Sequence, residues 1–139
     1  MSTDSNVNPP AIGMHHIAVQ THDLDASIRL YRDVLGMSVV NQWGAPERRM
    51  ALLDSGNGAH IELVAPVGAL PVAASDSPSP PLLHLALNTT DVRQSVERVR
   101  KAGYQITIEP KDVLLGQVHA TVAFFSGPNG ERIEFFQTN

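Results

Sequence analysis

The chain has 139 residues, 42% hydrophobic and 17% charged, which is ample for one compact domain with a buried core. Its formal charge is −4 with no basic cluster, a balance that argues against nucleic acid or an anionic membrane as partner. No cysteine and no apolar run of membrane-spanning length is present, so disulfides, thiol chemistry and a transmembrane helix are excluded, and a cytoplasmic protein is expected.

In chain order, residues 1–13 are polar, lack an apolar signal core, and read as a flexible tail. The stretch GMHHIAVQTHDLD then carries an apolar strand over 14–20. Alternation along a strand sends neighbours to opposite faces, so His15 and His16 are not expected to share a site. Asp23 stands where a helix N-cap belongs. Leu24, Ile28, Tyr31 and Leu35 give the following helix one apolar face, and Gly36 closes it. Strands are predicted at 37–43, 48–54 and 59–64, with DSGNGA as the hairpin turn between the last two. Residues 66–81 hold five of the ten prolines and read as a linker, most clearly over 67–81.

The same order then recurs. A strand at 82–88 leads to Asp91 and a helix with Val92, Val96 and Val99 on one face, ending at Gly103. Strands follow at 105–109, 118–126 and 132–137, with SGPNGE as the second hairpin turn. His16, Ala18, Thr21 and Asp23 fall on His84, Ala86, Thr89 and Asp91 at an offset of 68 residues. Farther on, Asn57, Gly58, Ile61 and Glu62 fall on Asn129, Gly130, Ile133 and Glu134 at an offset of 72, so small insertions separate the two blocks. Two ordered blocks point to an α+β domain built from two tandem βαβββ units, 14–66 and 82–137.

The repeat also assigns faces. In the second unit Leu83, Leu85 and Leu87 share the face under the helix, which leaves His84, Ala86 and Asn88 on the other. His16 takes the equivalent place in the first unit. On the last strands Ile61 and Ile133 face the helix, so Glu62 and Glu134 lie on the opposite side. A lone strand histidine is ordinarily a packing or surface residue, and a lone glutamate faces solvent. Recurrence of both types at matched places turns the reading toward a metal site, because a carboxylate set in apolar strands needs a partner. If the two sheets form one concave surface, His16, Glu62, His84 and Glu134 converge, and imidazole nitrogen with carboxylate oxygen suits Ni, Zn, Co, Mn or Fe(II). His15 is expected to pack toward the helix side, His60 to line a pocket or stay exposed, and His22 to be solvated; His119 has no assigned role.

The segments HHIAVQTHDLDASIRLYRDVLGM, HIEL, LHLALNTTDV and FFSGPNGERIEFFQ resemble the vicinal oxygen chelate superfamily, and do so over nearly the whole of 14–137. That group includes glyoxalase I, methylmalonyl-CoA epimerase, extradiol dioxygenases and the bleomycin- and fosfomycin-resistance proteins. The resemblance implies paired βαβββ units whose mixed sheets cup a divalent metal, with ligands at His16, Glu62, His84 and Glu134. This two-His, two-Glu set is similar to bacterial glyoxalase I. It implies a metal-dependent lyase or isomerase that moves a proton through an enediolate of a small substrate with vicinal oxygens, Glu134 acting as base and Glu62 sharing the work. Two places depart from the glyoxalase I pattern: Gln20 where an arginine contacts glutathione, and Pro66 where an asparagine does. Strict glutathione specificity is therefore not implied. The other activities of the group are metal-free drug binding, epimerisation and oxygen activation. A homodimer is expected, because such small sheets have open edges.

Overall fold

A computed structural model describes residues 14–69, 84–115 and 117–139. The first unit contains β1 (His16–Gln20), α1 (Leu24–Ile28), a π-helical turn (Arg29–Val34), β2 (Ser38–Ala45), β3 (Arg48–Asp54) and β4 (His60–Ala65). The second contains β5 (Leu85–Asn88), α2 (Val92–Lys101), β6 (Ile106–Leu115), β7 (Val118–Ser126) and β8 (Arg132–Thr138). Most of the expected linker, 70–81, lies outside the described residues, as does the tail 1–13.

Each unit makes one four-stranded mixed sheet, ordered β1-β4-β3-β2 in the first and β5-β8-β7-β6 in the second. The topology is the same twice. The first strand runs parallel to the last, and the remaining pairs are antiparallel. A parallel neighbour needs a crossover, which each helix provides. Both helices begin as the sequence expects. Asp23 accepts the Ala26 amide at 3.1 Å and Asp91 accepts the Gln94 amide at 3.0 Å.

The first helix departs from expectation. An uninterrupted α-helix to Leu35 is predicted, but from Arg29 the winding loosens, and the Leu35 amide bonds five residues back to Leu30. The physical reason is one extra residue. Asp23 to Gly36 is one position longer than Asp91 to Gly103, and a π turn absorbs the excess without breaking the helix. It turns Leu30 and Tyr31 both into the interior, each 0% exposed.

The core belongs to both units. Leu24, Ile28, Leu53, Ile61 and Leu63 of the first join Val92, Val96, Phe125, Ile133 and Phe135 of the second in one buried cluster. These are the helix-side residues that alternation assigns. Phe125 stacks on Phe135 at 5.4 Å and meets Tyr104 edge-on at 6.4 Å. The turn between β7 and β8 fastens the second unit to α1 of the first. Asn129 accepts from the His22 amide at 3.1 Å and donates to the Ser27 hydroxyl at 2.9 Å, and the Tyr31 hydroxyl donates to Glu131 at 3.1 Å. With both helix faces spent on one core, the opposite sheet faces carrying His16 and His84 are left outside it.

Candidate metal centre

Parallel register fixes the first pair. Ala18 lies beside Glu62, and His16, two residues earlier on the same face, swings its imidazole over the carboxylate, with Nε2 3.9 Å from Glu62 Oε1. The second unit repeats the arrangement more tightly. Ala86 lies beside Glu134, and His84 Nε2 is 3.0 Å from Glu134 Oε1. The small alanine in each strand leaves room for the histidine ring to lean across. Glu134 is buried at 8% exposure, and a carboxylate so placed needs its imidazole partner.

The four expected ligands thus come together as two pairs. They do not converge into one group: among the described residues no cluster of three or more His, Cys, Asp or Glu side chains has metal-holding geometry. The donor chemistry, one imidazole nitrogen and one carboxylate oxygen per pair, fits a divalent ion. The number does not fit within a single pair, since divalent sites of this kind take three or four protein ligands. Each unit therefore offers two candidate ligands.

Around the pairs, the sheet faces differ. His84 meets the Phe124 ring edge-on at 5.3 Å, and the Arg132 guanidinium lies over the same ring at 4.6 Å. Phe124 pairs with Glu134 across the β7–β8 ladder, so it shares the face of the His84–Glu134 pair. It is a candidate site residue that alternation along β7 reveals once the pairing register is known. In the first unit His60 occupies the place of Arg132 and pairs with His16 in register.

His15 corrects its expectation. It stands one residue before β1, where strand alternation does not yet hold, and it is exposed rather than packed under the helix. Its ring stacks on His60 at 4.9 Å, and its Nδ1 lies 2.9 Å from that of His16. His15, His16 and His60 thus gather at one end of the first sheet, with Asp54 4.0 Å from His60. Glu62 and Glu134 keep their expected places; His22 and His119 are exposed.

The two departures from the glyoxalase I pattern meet in one turn. Gln20 Oε1 accepts the Gly68 amide at 2.7 Å, and Pro66 offers its carbonyl to Ala69 at 3.0 Å. The Gln20 side chain, held in this way, braces the segment that leaves β4.

Residues 13–135 match the Glyoxalase/Bleomycin resistance protein/Dioxygenase superfamily, and the chain belongs to that family. It is similar to the lactoylglutathione lyase of Haemophilus influenzae, 31% identical over 127 residues that cover 88% of this chain and 90% of that protein. A probable lactoylglutathione lyase of Vibrio cholerae is 30% identical over 127 residues, covering 88% of each chain. Among solved structures, the trypanothione-dependent glyoxalase I of Leishmania major superposes with a TM-score of 0.68 at 27% identity, covering 91% of this chain and 87% of that one. The antibiotic-binding protein TnmS3 of a Streptomyces strain superposes with a TM-score of 0.73 at 20% identity, covering 95% and 100%, a likeness of fold alone.

Proposed function

We propose that this chain is a glyoxalase I-like lyase or isomerase dependent on a divalent metal, acting by proton transfer on a small substrate with vicinal oxygens and not restricted to glutathione adducts. The observation that carries this reading is the duplicated pair: His16 with Glu62 and His84 with Glu134, at equivalent positions of two sheets. Similarity to lactoylglutathione lyases supports the same activity class. His16, Glu62, His84 and Glu134 would hold the ion, two from each unit, with a second copy of the chain supplying the complementary half. A divalent ion there supplies Lewis-acid polarisation of the two substrate oxygens.

The chain's own groups do the rest. Glu134, buried and held by His84, takes a proton from one substrate carbon and returns it to the neighbouring carbon. Burial keeps water from competing for that proton. Glu62, the equivalent carboxylate, serves the opposite side. Phe124, beside His84, gives the site an apolar wall. Gln20, held by Gly68, offers no charge to a glutathione carboxylate, which is why the thiol part of the substrate is not read strictly.

Glu134→Gln tests the base. The variant should keep its fold and bound metal while turnover of an α-hydroxycarbonyl or thioester substrate falls by about 10²–10⁴-fold. Full activity in Glu134→Gln sinks the assignment. Metal content after stripping and refilling with Ni, Zn, Co, Mn and Fe(II) tests the site itself. One tight ion per chain, lost in His16→Ala and in His84→Ala, supports it. No tight ion of any kind turns the reading to a small-molecule binding protein.

A further inference from the structure

The repeat is broken at one place, and a cavity results. In the closed half, Asn129 of the β7–β8 turn bonds to Ser27, and Tyr31 reaches Glu131, so side chains fill the space between turn and helix. The equivalent residues of the other half are Asn57, Ser95, Val99 and Ala59. The backbone frame is the same: Thr21 bonds to Ser27 at 2.8 Å, and Thr89 to Ser95 at 2.8 Å. A valine and an alanine now stand where a tyrosine and a glutamate met. Between the β3–β4 turn and α2 a cavity of about 360 Å³ remains, with Asn57, Ala59 and Ser95 in its wall. That volume suits a small organic ligand.

The lining has two chemistries. Part of it is apolar: Val34 and Leu35 at the end of the first helix, and Phe135. The polar part includes Arg98, with Asn57 and Ser95 among the neutral hydrogen-bonding groups. Arg98 replaces Leu30, which is buried at the equivalent place. The arginine ion pairs among the described residues use Arg32, Arg49, Arg93 and Arg100 and leave Arg98 out. One guanidinium among neutral partners balances a single negative charge, the charge of a carboxylate rather than of a phosphate dianion.

We propose that this cavity binds a small monocarboxylic acid with an apolar body, its carboxylate on Arg98 and its body against Val34, Leu35 and Phe135. The inference stands on the cavity's own lining and does not rest on the metal reading. The cavity adjoins the space that His16 and His84 line, sharing Ser55, Ala59, Ala86 and Leu87 with it, so the test is made in chelator-treated protein. Calorimetric titration with 4-phenylbutyrate should give saturable binding, with the neutral 4-phenylbutyramide weaker. Arg98→Gln, an exposed position that leaves the core intact, should weaken binding by about tenfold. Ala59→Glu restores the carboxylate of the closed half, which engages Arg98 and abolishes binding. No saturation at millimolar probe overturns the proposal. So does binding that Arg98→Gln leaves unchanged, or that survives in a folded Ala59→Glu variant, or that requires added metal.

Discussion

Tyr31 is fully buried, and its hydroxyl donates to Glu131 across the junction between the two units. Burial first, then the Glu131 charge and hydrogen bond, push its phenol well above the ordinary value of 10.0. A raised folded value gives stability that is complete below pH 10 and is lost as pH climbs beyond it, because the unfolded chain releases the proton sooner. The Tyr31 contribution to the unfolding free energy, measured by denaturant titration, should therefore hold steady below that point and fall above it, at a slope approaching about 1.4 kcal/mol per pH unit. Tyr31→Phe should cost about 1 kcal/mol at neutral pH and remove most of that alkaline slope. The Tyr104 phenol is raised as well, by its partial burial. An unchanged alkaline slope in Tyr31→Phe would put the titration elsewhere.

At the scale of elements, both helices open on an aspartate that caps its own third residue, and both are preceded by a threonine bonded to a serine one turn in. These devices are local, so they act alike in the two units. Asp91→Ala should lower stability by about 1 kcal/mol, measured by urea unfolding with the slope unchanged. A loss well beyond that would mean the side chain does more than cap. The π turn is the element that breaks the likeness. By fitting one extra residue it places both Leu30 and Tyr31 inside, whereas α2 buries Val99 and leaves Arg98 exposed. One half of the molecule is thus closed by Tyr31 and Glu131, and the other is left with a cavity.

For the whole molecule, each chain carries two His–Glu pairs outside a shared core. If the complete centre pairs His16 and Glu62 of one copy with His84 and Glu134 of another, the active protein is a dimer of 15.0 kDa chains. The apparent metal affinity should then fall on dilution as the copies part. Complementation is sharper. His16→Ala and His84→Ala homodimers should each be empty, and mixing them with exchange should restore roughly a quarter of the wild-type sites, by random pairing across a two-fold interface. Metal uptake that stays at zero after exchange would place both halves of each centre in one chain.

By itself the sequence determined the βαβββ repeat, the two caps, the hairpin turns and the placing of His16, Glu62, His84 and Glu134 on the faces away from the helices. All of these follow from periodicity and local turn chemistry, which neighbouring residues settle among themselves. Pairing register made each histidine the neighbour of its own glutamate, brought Phe124 to His84 and drew His15 and His60 together. Only the tertiary structure decided that both helix faces share one core, which leaves both pairs on the sheet faces outside it. It also decided that Gln20 braces a turn and that Ala59 lines a cavity, whereas Glu131 at the equivalent place meets Tyr31. Contacts between residues about 100 positions apart, such as Tyr31 with Glu131, depend on how two units dock, and no local pattern encodes that.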